Sequence, residues 1–315
     1  MSNFYIPENF NLGYACINTE LRKKNIFSSR TCRLSTLESK GIGYVKDLAL
    51  KNLKDLQTIL DWNLKNNILF FRLSSELFPF ASHEKHGYNL EFADTQLKSI
   101  GDYAKKHNMR LTMHPAQFNV LSSPNQNVID NTLRDLTYQC EILDRMGLDQ
   151  NSVMVVHGGG TYGNKQAALQ RLSENIEKLP DNIRNRLVLE NCEMSYSIDD
   201  LLPISEKLKI PIVIDLHHDS IYQSSNPVDF YFESVFNVWK ERNIKPKVHV
   251  SNSIEGVTEN DSKTKRRKHS DYISFIHEPL LKINFPIDIM FEAKMKEQAV
   301  LQFIKQHKKN INKNN

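Results

Sequence analysis

Eight short, nearly unbroken apolar runs recur along the chain, at residues 12–17, 69–73, 110–113, 153–156, 187–189, 212–216, 247–250 and 288–291. Each has the length of a strand and too little polarity for one solvated face, the pattern of parallel strands buried on both faces. Parallel strands need a crossover between them, and the intervening stretches supply one. Val45, Leu48, Ala49, Leu53, Leu56, Ile59 and Leu60 fall at steps of three and four, the apolar stripe of an amphipathic helix. The same spacing predicts helices over 92–107, 128–146, 166–179, 198–208, 228–239, 272–281 and 296–304. Ser197 stands where it can cap the helix that opens at Ile198, with Asp199 and Asp200 in its first turn, facing the unpaired amides there.

Eight strands alternating with eight helices predict an α/β chain folded as a single-domain (β/α)8 TIM barrel. A doubly wound open sheet is the competing architecture. No G-x-G-x-x-G follows the first run, so the phosphate-binding turn of the dinucleotide-binding sheets is missing. The 315 residues suffice for one large domain. The expected limits are 1–304 for the barrel and 305–315 for a basic, disordered tail. No run reaches the ~18–20 apolar residues of a membrane span, and Met1-Ser2-Asn3-Phe4 lacks the basic-then-apolar pattern of a secretory leader. The expectation is a cytoplasmic protein with no membrane partner.

The 4 cysteines, Cys16, Cys32, Cys140 and Cys192, form no C-x-x-C pair, which argues against a zinc ribbon or a disulfide framework. The net charge of +4 is mild, but it is unevenly spread. Lys263, Lys265, Arg266, Arg267 and Lys268 form one basic cluster; Lys305, Lys308, Lys309 and Lys313 form another. Such runs fit phosphate contacts, and they equally fit a solvated face.

The strand ends carry the chemistry. The third run ends in His114, the fourth in His157, the fifth in Glu190; the sixth carries Asp215 with His217 and His218 beyond it. Lys247 and His249 lie in the seventh, and Glu292 closes the eighth. One histidine at a strand end is usually a hydrogen-bonded structural residue. Six successive strands each offering a His, Asp or Glu at the same barrel end is a different matter, because buried charge is costly unless paired or metal-bound. Imidazoles and carboxylates without thiolate suit Mn²⁺, Zn²⁺, Fe²⁺ or Co²⁺. Glu190, Asp215, His249 and Glu292 could form one centre, and His114, His157 and Glu190 a second. Of the adjacent pair, His218 is the better candidate, three residues beyond Asp215.

These residues, together with Leu12-Gly13-Tyr14, Phe71-Arg72, Pro79-Phe80-Ala81-Ser82-His83, Met113-His114-Pro115, Leu189-Glu190-Asn191, Asp215-Leu216-His217-His218, Pro246-Lys247-Val248-His249, His269-Ser270-Asp271-Tyr272 and Glu292-Ala293-Lys294, resemble the UV damage endonucleases. The resemblance spans about residues 12–298. It implies a barrel related to endonuclease IV and a DNA-repair endonuclease that cuts 5′ to pyrimidine dimers and 6-4 photoproducts by metal-activated water. It implies two or three divalent ions, manganese first, with Mg²⁺, Zn²⁺ or Co²⁺ as alternatives. The ligands it implies are His114, His157, Glu190, Asp215, His218, His249, His269 and Glu292, with Glu190, Lys247 and His83 as catalytic residues. Lys247 matches a lysine that the family carries in carboxylated form. Tyr14, Asn18, Gln117 and Phe118 match DNA-contact positions; at Phe118 the family's wedge tyrosine is replaced, which keeps a stacking face and loses a hydroxyl. The partner implied is damaged double-stranded DNA, met by a monomer acting at the nucleoid. Two rivals remain open: a metal-dependent sugar isomerase of the xylose-isomerase type, and a non-catalytic binder of damaged DNA.

Overall fold

The computed structural model describes residues 6–307. Its strands are β1 (Phe10–Ala15), β2 (Phe70–Arg72), β3 (Arg110–Thr112), β4 (Met154–His157), β5 (Leu187–Glu190), β6 (Ile212–Asp215), β7 (Lys247–Val250) and β8 (Ile287–Phe291). They pair in parallel in the order β3-β2-β1-β8-β7-β6-β5-β4. The two ends of that order meet. Met113 N–H donates to Val153 O at 2.9 Å, and Val155 N–H donates to Met113 O at 3.0 Å. This parallel bridge between Met113 and Met154 closes the sheet into a barrel and leaves no free edge.

The helices are α1 (Thr19–Lys23), α2 (Leu34–Lys65), α3 (Asp94–Lys106), α4 (Gln126–Arg145), α5 (Lys165–Glu177), α6 (Asp181–Arg184), α7 (Ile198–Leu208), α8 (Leu216–Ile221), α9 (Phe232–Glu241), α10 (Lys263–Arg266) and α11 (Glu297–His307). The predicted stripe of α2 faces the sheet: Val45, Ala49, Leu53, Leu56, Ile59 and Leu60 are buried, each worth roughly 1.5–3 kcal/mol where a large side chain leaves water. Gly41, at φ 78°, breaks α2 near its start. At α7, Asp200 accepts the Ser197 N–H at 2.8 Å, as the capping pattern predicts. No described helix is long and apolar enough to cross a membrane.

Two expectations fail. The helix predicted over 272–281 does not form; the β7–β8 crossover holds only α10 and a 3-10 turn at Glu278–Lys282. Ile273, Ile276, Leu280 and Ile283 are buried at helical spacing, yet the backbone finds other partners. Ser274 N–H donates to Asn252 Oδ1 at 2.8 Å, and Pro279 disfavours a helix in the residues before it. Secondly, the last predicted helix, 296–304, runs on through Lys305 to His307. Lys308, Lys309 and Lys313 lie outside the described residues.

Candidate metal centre

The C-terminal strand ends converge on one carboxylate. Glu190 closes β5 with 1% exposure. Register sets His157 beside it on β4 and pairs Asp215 with His249 across β6 and β7. Glu190 Oε2 lies 2.9 Å from His114 Nε2 and 3.6 Å from His157 Nε2. Its Oε1 lies 2.9 Å from His249 Nδ1 and 3.5 Å from His218 Nδ1. Three overlapping groups result: His114, His157 and Glu190; Glu190, Asp215 and His218; Asp215, His249 and Glu292. Within each, the donor atoms lie within 4.8 Å of one another. Glu190 and Asp215 each serve two groups.

The DLHH segment explains how Asp215 and His218 share a centre. The chain does not continue as a strand after Asp215. Asp215 caps α8, its carboxylate accepting the His218 N–H at 2.8 Å, so His218 stands one turn above the strand end. Asn191 fixes the junction by accepting the Asp215 N–H at 2.8 Å and donating to Asp215 O at 3.0 Å. Its carbonyl lies 2.9 Å from His218 Nδ1. Motif spacing does not mark Asn191 for this role, although it sits in the Leu-Glu-Asn stretch. Arg72 ion-pairs with Glu292.

The donor set fits divalent cations. Asp215 is fully buried, and its Oδ2 has no hydrogen-bond partner. Left ionised without a partner, it would cost several kcal/mol or so, and a hard cation would satisfy it. The electrostatics agree. Burial opposes the Glu190 charge, but His249 and His157 outweigh it and hold this carboxyl well below its usual range. Glu292 is held down likewise, against burial, by Arg72. Burial pushes His249 down to about 4 and lowers His157, keeping both imidazoles neutral. Burial raises Asp215 to about 8; on His218 burial acts the other way, yet Asp215, Glu190 and Glu193 outweigh it and raise that ring to about 10. Both shifts favour protons on this pair, and a bound cation would compete with them.

Other expected residues lie around this core. His269 is half-buried, its ring 5.4 Å from that of His217; it is in none of the three groups among the described residues. His83 is likewise outside them. It sits on the loop after β2, with its ring 4.9 Å from His86 and its Nδ1 accepting the Lys85 N–H. Lys247 lies below the centre, fully buried, with Nζ unpartnered and 5.6 Å from the Phe70 ring centroid. Burial, aided by Arg72 and Arg110, pushes it down to about 7. Gln117 and Phe118 are exposed beyond β3.

Tyr14 and Asn18 require a correction. Tyr14 is 0% exposed and Asn18 1%. The Tyr14 hydroxyl donates to Asn63 at 2.6 Å and accepts from Asn18 at 3.0 Å, and Asn18 caps α1 through Leu21 N–H. Neither offers surface to DNA in this structure. They form a polar tie between β1 and α2, a position that a motif match alone does not distinguish from a contact.

A closed α/β barrel with clustered carboxylates and imidazoles at the C-terminal strand ends defines a barrel with a candidate polynuclear metal centre. The model of the family "UV-endonuclease UvdE" matches residues 10–315, and the chain belongs to that family. A UV-damage endonuclease of Schizosaccharomyces pombe is 41% identical over 96% of this chain; the chain spans 51% of that relative's length. The crystal structure of SacUVDE superposes with a TM-score of 0.83 at 32% identity, covering 94% of this chain and 97% of that one. Endonuclease IV from Thermus thermophilus matches at a TM-score of 0.53 and 12% identity, covering 94% of this chain and 97% of that one, a likeness of fold.

Proposed function

We propose that this chain is a metal-dependent endodeoxyribonuclease that nicks double-stranded DNA on the 5′ side of UV lesions, pyrimidine dimers and 6-4 photoproducts. The observation that carries the reading is the sharing of Glu190 and Asp215 among three donor groups, a donor set that would suit more than one divalent cation. Manganese is the first candidate ion, with magnesium, zinc and cobalt behind it. Bound there, the ions supply an activated water and neutralise charge that develops on phosphate oxygens. His114 and His157 would hold one cation with Glu190; Asp215, His249 and Glu292 another; His218, with His269 at the rim, a third. Arg72 orients Glu292, and Asn191 fixes Asp215 and His218. His83, on the loop after β2, would meet the substrate backbone. We read the protein as acting as a monomer, in the cytoplasm at the nucleoid. The test is end-labelled duplex, UV-irradiated or not, incubated with the protein and Mn²⁺. Selective nicking of irradiated strands is expected. Binding without nicking sinks the enzyme reading, and conversion of an aldose to a ketose with neither would favour the isomerase.

Lys247 carries a second element of the proposal. An amine titrating near 7 is substantially uncharged at neutral pH. It can add carbon dioxide, forming an N–C bond and releasing one proton, to give a carbamate. The resulting anion would face Arg72 and Arg110, the two cations that now oppose the ammonium. Crystallographic density at high resolution, from crystals grown near pH 8 with bicarbonate, should show three extra atoms beyond Nζ; a bare Nζ would end this part of the proposal.

Phe118, 62% exposed, presents a ring face four residues beyond His114. Phe118→Ala should weaken binding to irradiated duplex by roughly 5- to 150-fold, the worth of about 1–3 kcal/mol for one stacked base. Phe118→Tyr should leave it nearly unchanged. Fluorescence anisotropy in metal-free buffer measures both, and equal affinities for all three proteins would remove Phe118 from the interface.

A further inference from the structure

Gln117 and Phe118 are the two central residues of a tight turn. Asn119 N–H donates to Ala116 O at 2.9 Å to close it. Two exposed side chains on such a tip lose much conformational freedom when they engage a ligand, unless the base of the turn is already fixed.

It is fixed from inside. The Asn119 side chain is buried at 4% exposure. Its Nδ2 donates to Ala116 O at 2.9 Å and to Asp135 Oδ2 at 2.8 Å. Asp135, on α4, is buried too. The same Oδ2 accepts Gln139 Nε2 at 2.7 Å, and Oδ1 accepts the Ser82 hydroxyl at 2.9 Å. Ser82 immediately precedes His83. One carboxylate therefore ties the Gln117–Phe118 turn to the loop that carries His83, and it holds both against α4. Val120 N–H adds a second tie from the turn to α4, donating to Thr132 Oγ1 at 3.0 Å.

We infer that Asn119 and Asp135 are positioning residues that hold the Gln117–Phe118 turn ready to read DNA and couple it to the His83 loop. Three neutral donors satisfy the Asp135 carboxylate. The inference rests on the reading of the turn as the lesion-contacting element.

The test uses the full chain carrying Asn119→Ala, Asp135→Asn or Ser82→Ala. Asn119→Ala removes the pin but leaves Asp135 two donors. Its affinity for irradiated duplex should fall roughly five- to tenfold, the cost of ordering the two tip side chains, with affinity for unirradiated duplex unchanged. Mn²⁺ binding by calorimetry should stay as in the parent. Asp135→Asn keeps an oxygen for Asn119 and Gln139, and its amide can donate to Ser82 Oγ; it should retain most of the discrimination. A 2-aminopurine opposite the lesion, unstacked by the parent protein, should brighten less with Asn119→Ala and nearly normally with Asp135→Asn. A purely structural role would lower thermal stability and leave the 2-aminopurine response of the folded fraction unchanged. If Asn119→Ala does not fold, Ser82→Ala, at the half-buried end of the tie, must still reduce discrimination. A folded Asn119→Ala or Ser82→Ala with parental discrimination and fluorescence overturns the inference. A parent protein without preference for irradiated DNA overturns the reading beneath it instead.

Discussion

Glu190→Ala should lower the single-turnover rate of nicking irradiated duplex by more than about 100-fold, since losing even a partner outside the ligand shell of a metal costs 10–100-fold. The reason is geometric. Both Glu190 oxygens are engaged, Oε2 toward His114 and His157, Oε1 toward His249 and His218. No neighbouring carboxylate reaches both sides: Asp215 shares groups with His218, His249 and Glu292, and not with His114. Glu190→Gln keeps the shape and removes the charge, so it should fail in catalysis while folding normally. Calorimetric Mn²⁺ titration supplies a readout independent of activity. The parent should release protons on binding, because His218 is raised to about 10 and Asp215 to about 8, and a cation competes with the protons these groups hold. Affinity should therefore weaken as pH falls and protons compete. Near-normal nicking or unchanged Mn²⁺ affinity in Glu190→Ala would overturn the assignment of the centre.

Much of this centre is legible in the residues alone. Buried parallel strands leave no room for unpaired polar residues, so a His, Asp or Glu at a strand end stands out against a run such as Val153–Val156 or Ile212–Ile214. The three-residue step from Asp215 to His218 picks out the imidazole that joins a donor group. Strand alternation would put His217 on the Asp215 face instead; His218 comes round because Asp215 caps α8 and turns the chain. What periodicity does not show is partner choice. Arg72 reads the same whether it meets phosphate or Glu292. Tyr14 and Asn18 read the same whether they face DNA or each other, and only burial separates the cases. The stretch 272–281 has helical spacing without a helix, because Asn252, about twenty residues away, takes over part of its backbone bonding. Asn119 and Asp135 carry no motif, and only their hydrogen bonds identify them.

Charge at the opposite end of the barrel obeys a different logic, and Asp288→Ala should expose it. Asp288 is fully buried on β8. Its carboxylate accepts from Arg110 at 2.7 Å, Lys245 at 2.5 Å and Asn11 at 3.0 Å. Removing one partner of a buried ion pair costs about 3–5 kcal/mol, because the other charge stays buried without compensation. Here Arg110 is the stranded group, on β3 with 7% exposure, and it cannot swing into water as Lys245 can. The expected fall in Tm by scanning calorimetry is roughly 10 °C. Mn²⁺ affinity should change little, since Lys247, which feels both Arg110 and Glu190, stands between this network and the metal ligands, and distant sites act nearly independently. That split would establish the division of labour along the barrel axis, with charge at the strand starts holding the fold and charge at the strand ends holding metal. A variant that keeps its Tm would show that Arg110 finds another partner. A variant that keeps its Tm and loses Mn²⁺ would mean that Asp288 acts through Lys247, and that the two ends are one electrostatic system.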